Sequence, residues 1–332
     1  MSSASSSADG WFTLLEPFAP PQDTLRRPDD PRLAEITEFW KGDARALQPR
    51  RAVLIGFPQD EGVRRNGGRI GAAEAPAAIR HWLYWLTPYD PAAGTDLAAV
   101  KPLDLGNVRV TADLERSQDD LATVVAAVLR FGAYPIIVGG GHETAFGHFL
   151  GYVAAGRKVA IVNIDAHLDV RPCLESGGHS GSPFRQALEH PTDPLARYIC
   201  LGAQPHATAQ EHARYVQERG GRIVWRDAAS GELPARLEEA CRWASEHQCQ
   251  VYVSLDADVV RAADVPGVSA PNAAGLRGTN VLAAVRRAGA SARVKSFDVV
   301  EINPRFDHDD RSARWAALAV WQFLAGLASR GR

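Results

Sequence analysis

A chain of 332 residues with a formal net charge of −2, 45% hydrophobic and 23% charged residues, has the length for one large or two ordinary soluble domains. The near-neutral balance argues against the strongly basic field that nucleic-acid binding uses. Nowhere do about 18 apolar residues run together, which argues against a helical membrane span.

The start, MSSASSSADG, is Ser-rich and lacks the basic and apolar regions of a secretory leader, so residues 1–10 are expected to be a disordered tail. Cys173, Cys200, Cys241 and Cys249 show no CxxC spacing and read as free thiols of a cytoplasmic protein. Residues 11–50 mix proline, charge and tryptophan without a clean period. They are expected to form an appended arm with one helix around PRLAEITEFW, whose Trp11 and Trp40 are candidates for packing on a neighbouring copy.

After Arg50 the pattern changes. RAVLIGF, YPIIVGG, KVAIVNID, RYICLGA, GRIVW, VYVSLDAD and VKSFDVVEIN are short β-branched runs, and helical spacing fills TADLERSQDDLATVVAAVLRFG and NVLAAVRRAGA between them. Alternating strands and helices predict a parallel sheet covered on both faces. With no repeat and no Gly/Ser linker, residues 51–332 read as one domain, whose ligands would bind beyond the carboxyl ends of its strands.

Four of those ends carry unusual chemistry. GGGHE, 139–143, delivers His142 through a glycine turn; DAHLD sets Asp165, His167 and Asp169 two apart; SLDAD sets Asp256 and Asp258 two apart; DVVEINP closes on Glu301. Taken singly, each DxD or DxHxD reads more readily as a capped turn or a surface acidic pair. Taken together, the carboxylates of Asp165, Asp169, Asp256 and Asp258 would share one partly buried place with two histidines. Burying even one unpaired carboxylate costs several kcal/mol, so the cluster calls for cations. Two divalent ions would neutralise it, and a donor set without thiolate favours Mn²⁺ over a structural Zn²⁺, with Ni²⁺, Co²⁺ or Zn²⁺ as alternatives.

GGGHE, NIDAHLD, SLDAD and DVVEINP, in this order and spacing, resemble the arginase/agmatinase (ureohydrolase) superfamily over about residues 50–325. The resemblance implies a three-layer α/β/α sandwich with a mostly parallel central sheet and a centre of two Mn²⁺ ions. It implies His142, Asp165, Asp169 and Asp256 around one metal and Asp165, His167, Asp256 and Asp258 around the other. It also implies catalytic roles for Asp169, which would take a proton from the nucleophile, and for Glu301, which would stay ionised and pair with the substrate's nitrogens. Homo-oligomers are common in the superfamily.

DEGVRRNGGRIGAAEAPAAIR, SGSPFRQ and VPGVSAPNAAGL are similar to the branch that cleaves N-formimidoyl-L-glutamate to L-glutamate and formamide in histidine breakdown. A substrate with two carboxylates needs cations close by, and Arg69, Arg171 and Arg185 are the candidates. Arginases and agmatinases place a histidine immediately before the glycine matching Gly181; here Ser180 stands there, and His179, one position earlier, is a candidate shuttle. The alternative readings are a guanidino-group hydrolase that releases urea and, from another class, a catalytically idle metal-binding scaffold.

Overall fold

The computed structural model describes residues 10–19 and 29–331, so the expected tail, apart from Gly10, lies outside the described residues. Eight parallel strands form the body of the sheet: β1 (Ala52–Phe57), β2 (Leu103–Val108), β3 (Tyr134–Gly139), β4 (Val159–Ile164), β5 (Leu195–Ala203), β6 (Arg222–Trp225), β7 (Gln250–Asp256) and β8 (Val294–Val300). Their order across the sheet is β2-β1-β3-β8-β7-β4-β5-β6.

Strand alternation divides the interior into two cores. Leu54, Ile136, Val162 and Val253 face one side, against helices α1 (Ala75–Leu83), α6 (Leu233–Glu246), α7 (Gly278–Ala290) and α8 (Arg311–Ala328). Ile55, Ile137 and Ile161 face the other, against α2 (Leu114–Arg130), α3 (Thr144–Ala154), α4 (Pro183–Leu188) and α5 (Gln210–Glu218). The strands are apolar on both faces because both are covered, which is the three-layer sandwich.

One strand escaped the sequence reading. LDLGNV carries Asp104, Gly106 and Asn107, the residues of a turn, yet forms β2. Asp104 is buried there because Arg80 of α1 meets both its oxygens, Nε to Oδ2 at 2.8 Å and Nη2 to Oδ1 at 2.9 Å, with Tyr84 donating as well. A paired carboxylate in a fully buried strand leaves no trace in a hydrophobic pattern.

The arm also departs from expectation. The helix is a single turn, Leu33–Ile36; the chain then straightens, and Glu38–Phe39 pairs with Leu103–Asp104 of β2. Thr37 ends the turn with a β-branched side chain, Phe39 packs on Tyr84, and Glu38 meets Arg51 at 2.6 Å, so tertiary contact overrides helix propensity. Leu15–Glu16 pairs antiparallel with Asn107–Val108. Trp11 and Trp40, the candidates for packing on a neighbouring copy, are buried against each other within this chain's own core.

Candidate metal centre

The sheet order places the four unusual strand ends side by side. β3, β8, β7 and β4 are adjacent, so GGGHE, Glu301, SLDAD and DAHLD meet although up to 159 residues separate His142 from Glu301. β3 and β4 are consecutive in the chain but have β8 and β7 between them, and the chemistry sits at that break in the order.

Each motif turns the chain sharply as its strand ends. A Cβ on Gly140 would stand 1.8 Å from the Gln59 carbonyl oxygen, so only glycine lets this loop cross the one after β1. The expectation that Asp165, His167 and Asp169 share a face by strand alternation needs correction: β4 stops at Ile164, and the three converge through a turn. Asp165 Oδ1 accepts the His167 N–H at 2.7 Å, and Asp256 Oδ1 accepts the Asp258 N–H at 2.8 Å. In both motifs the first aspartate closes the turn, as the capped-turn reading has it, and also faces the cluster that the ligand reading requires. Asp169 and Glu301 have φ of +46° and +65°, a left-handed backbone that costs a non-glycine residue energy and gathers at functional sites.

His142 Nδ1 lies 2.9 Å from Asp169 Oδ2, 3.0 Å from Asp256 Oδ2 and 3.4 Å from Asp165 Oδ2. His167 Nδ1 lies 3.1 Å from Asp258 Oδ2 and 3.5 Å from Asp165 Oδ1. The donor atoms fall into two sets, each within 4.8 Å: His142, Asp165, Asp169 and Asp256, then Asp165, His167 and Asp258. Asp165 belongs to both, one oxygen to each. Asp256, expected in both, is grouped with the first set alone, and its Oδ1 accepts the Asp258 N–H.

These residues suit divalent ions. Asp258 Oδ1 is a buried acceptor with no hydrogen-bond partner among the described residues, and His142 Nδ1 faces three carboxylates across gaps that only a proton or a cation can bridge. Electrostatics points the same way. Burial and then neighbouring carboxylates raise Asp256 well above its ordinary value, and burial raises Asp258 despite the opposing pull of His167. Burial alone would depress His142, but Asp169 and Asp256 outweigh it and hold it well above the histidine range; Asp258 chiefly does the same for His167. Without metal, then, both imidazoles carry protons at neutral pH to offset the carboxylates. A metal must displace them. Loading the metal-free protein with Mn²⁺ at pH 7 should release protons, and affinity should fall as pH drops below neutrality. Titration in buffers of different ionisation enthalpy checks this, and binding without proton release contradicts it.

Behind His142 lies a buried relay. Ser254 donates to Asp298 Oδ1 at 2.6 Å, so its oxygen, 3.0 Å from His142 Nε2, must accept the Nε2–H, which leaves the Nδ1 lone pair free. Asp298 Oδ2 accepts from Tyr252 and from His148 Nδ1 at 2.8 Å, and burial keeps His148 on the neutral side. Ser296, 2.7 Å away, then donates to His148 Nε2 and accepts from Tyr152 at 2.6 Å. Every donor has one acceptor. Ser254→Ala should weaken metal binding in the His142 set by about 10- to 100-fold while sparing the His167 set; equal loss from both sets would contradict the relay.

A cavity of about 120 Å³ opens over the cluster, lined among others by His167, Asp169, Asp258 and Glu301. Glu301 Oε1 accepts the His142 N–H at 2.8 Å, and Oε2 is unpaired. Of the expected substrate contacts, only Arg171 lines this cavity; it is exposed and donates to Asn66 Oδ1 at 2.9 Å, while Asn66 Nδ2 reaches Ser180 Oγ at 3.1 Å. Arg69 is committed elsewhere, donating to the Ser269 and Val268 carbonyls and stacking on Phe306. Arg185 is held by Glu189 at 3.2 Å and by the Tyr215 ring. His179 is buried with both ring nitrogens used, one by the Pro172 carbonyl at 3.0 Å and one by the Gly181 N–H at 3.1 Å, so it pins the loop.

Sequence reasoning assigned no role to Asn66 and Ser269, small polar residues that line the cavity beside Ser180, or to His212, which borders an adjoining chamber of about 90 Å³ with Arg171. It also missed Glu143, fully buried, with Oε1 accepting the Gly62 N–H at 2.9 Å and its pKa raised well above the usual range by burial and by Glu301. Only the sequence adjacency of Glu143 to His142 could have drawn attention to it.

An α/β/α sandwich that gathers these carboxylates and imidazoles at adjacent strand ends has the architecture of a binuclear metallohydrolase. The model of the arginase family matches residues 50–326, and this chain belongs to that family. The formimidoylglutamase of Geobacillus thermodenitrificans (strain NG80-2) is 39% identical, with 82% of this chain and 83% of that protein covered. That of Salmonella schwarzengrund (strain CVM19633) is 36% identical over 90% of this chain and 93% of that one. The crystal structure of Trypanosoma cruzi formiminoglutamase with Mn²⁺ superposes with a TM-score of 0.82 at 33% identity, covering 91% of this chain and 100% of that one.

Proposed function

We propose that this chain hydrolyses the C–N bond of N-formimidoyl-L-glutamate to L-glutamate and formamide with two Mn²⁺ ions, acting in histidine breakdown in the cytoplasm as a homo-oligomer. The observation that carries the reading is the two-set cluster joined through Asp165, with Glu301 over the same cavity, in a chain 35–39% identical to formimidoylglutamases. When bound, the ions supply Lewis acidity that ionises water near neutral pH.

The side chains supply the rest. Asp169, lining the cavity, accepts the proton of the attacking water and keeps it close to the departing nitrogen. Glu301 Oε2, with no hydrogen-bond partner in good geometry among the described residues, pairs with the amidinium N–H groups and turns the carbon toward attack. Burial, with Asp258 adding to it, pushes Glu301 up to about 7, so the ionised form expected from the sequence needs a cation beside it. Arg171 at the mouth meets a substrate carboxylate. Arg171→Ala should raise KM by about 10- to 100-fold and change kcat little; an unchanged KM would remove it from recognition.

The reading is tested by products. Manganese-loaded protein given N-formimidoyl-L-glutamate, arginine and agmatine in separate assays should yield formamide and glutamate from the first and no urea from the others. Urea from a guanidino compound would keep the metal chemistry and overturn the substrate.

A further inference from the structure

At the opposite end of the sheet lies a second cavity, of about 320 Å³ against about 120 Å³ for the one above the cluster. It sits where β3 and β8 begin, roughly 20 Å from the catalytic end by the length of a six-residue strand. Its lining includes Arg50, Lys295 and Arg330, with Tyr134 among them, and no carboxylate. Volumes of this size accommodate small metabolites.

Three cationic side chains in one recess with no carboxylate among the described lining residues are unusual. Arg330 donates Nε to the Gly289 carbonyl at 2.5 Å and Nη2 to the Val294 carbonyl at 3.0 Å, and its plane stands 4.8 Å over the Tyr134 ring. Its remaining nitrogen, Nη1, is buried and has no partner among the described residues. An enclosed donor on a charged group is costly to leave unmatched, so the Arg330 guanidinium, which also stacks on Tyr134, favours negative charge close by. Burial first, then Arg330, Arg157 and Arg293, hold the Lys295 ammonium below its usual range, so several positive groups crowd this end of the sheet. Arg50 is held at φ +61°, in the left-handed region that a side chain adopts only when its surroundings require it, with its N–H bound to the Gly132 carbonyl at 2.9 Å.

We propose that this cavity binds a small multivalent oxyanion, of the phosphate or polycarboxylate class, held by the cationic side chains of Arg50, Lys295 and Arg330 that line it. Guanidinium and ammonium groups converging on a recess without acids give charge-assisted hydrogen bonds to either class. The site is separate from the catalytic pocket and shares none of its lining residues.

The test is calorimetric titration of the metal-loaded chain with sulfate and, separately, with tricarballylate at constant ionic strength, on the unaltered protein and on the Arg50→Gln/Lys295→Gln variant. Arg330 is left in place because its bonds to Gly289 and Val294 hold the fold. Saturable binding of one ion per chain is expected, weakened at least about tenfold in the variant, since one charge-assisted hydrogen bond is worth about that factor. The variant's metal content and hydrolytic rate should match the unaltered protein's. Preference for sulfate assigns the phosphate class, and preference for tricarballylate the polycarboxylate class. No saturable binding, or binding unchanged in the variant, would overturn the proposal. Because binding is the readout, the outcome is independent of the substrate assigned above.

Discussion

Asp165→Asn should leave a folded chain that retains neither metal and has lost activity by more than about a thousandfold. Asp165 is fully buried and is the residue common to both sets, with Oδ2 facing His142 and Oδ1 facing His167. An asparagine keeps an oxygen for the His167 N–H cap, so the turn after β4 survives. It also keeps the volume, so no cavity opens. What it lacks is charge, and its amide nitrogen would present a donor to Asn163 Nδ2, which now donates to Asp165 Oδ2 at 2.8 Å. Both sets lose an anionic ligand at once, and without the ions the water is not ionised at neutral pH. Metal analysis after gel filtration, with circular dichroism as the check on folding, measures the effect. A variant with both metals and full activity would sink the sharing of Asp165.

Glu301→Gln should separate binding of metal from turnover. Glu301 belongs to neither set; its Oε1 takes the His142 N–H and its Oε2 is unpaired in the cavity wall. A glutamine preserves the bond to His142, so both metals should remain. The carboxylate that would hold a cationic amidine is gone, replaced by a dipole whose N–H groups oppose those of the substrate. A loss of about 100- to 1,000-fold in kcat is expected, the scale seen when one preorganised electrostatic partner is removed. Loss of metal in parallel would mean that Glu301 is structural, and an unchanged rate would remove it from the mechanism.

Why the metal cluster was legible and its surroundings were not comes down to reach and to charge. Ligand atoms must sit within a few ångströms of an ion, so Asp165, His167 and Asp169, like Asp256 and Asp258, are packed into short motifs at strand ends, and the strands themselves announce their order of appearance. Arginine has no such constraint. Arg69, Arg171 and Arg185 all lie in plausible segments, yet a long side chain chooses its partner from the folded surroundings, and two of the three chose carbonyls, an aromatic ring or Glu189. His179 looked reactive because its neighbours resemble a catalytic segment, but both its nitrogens hold a loop. Conversely, the value of Phe184 in SGSPF is visible only in three dimensions, where its ring stands edge-on to His142 at 5.1 Å. β2 was hidden because Arg80 makes a buried aspartate affordable, a long-range fact with no local signature.

The most direct test of the two-set cluster is a manganese titration of the metal-free chain followed by electron paramagnetic resonance. Two ions per chain with a spin-coupled signal, lost in Asp165→Asn, is the predicted result. A single ion at saturation, or two uncoupled ions that survive that substitution, would contradict a centre built on one shared aspartate.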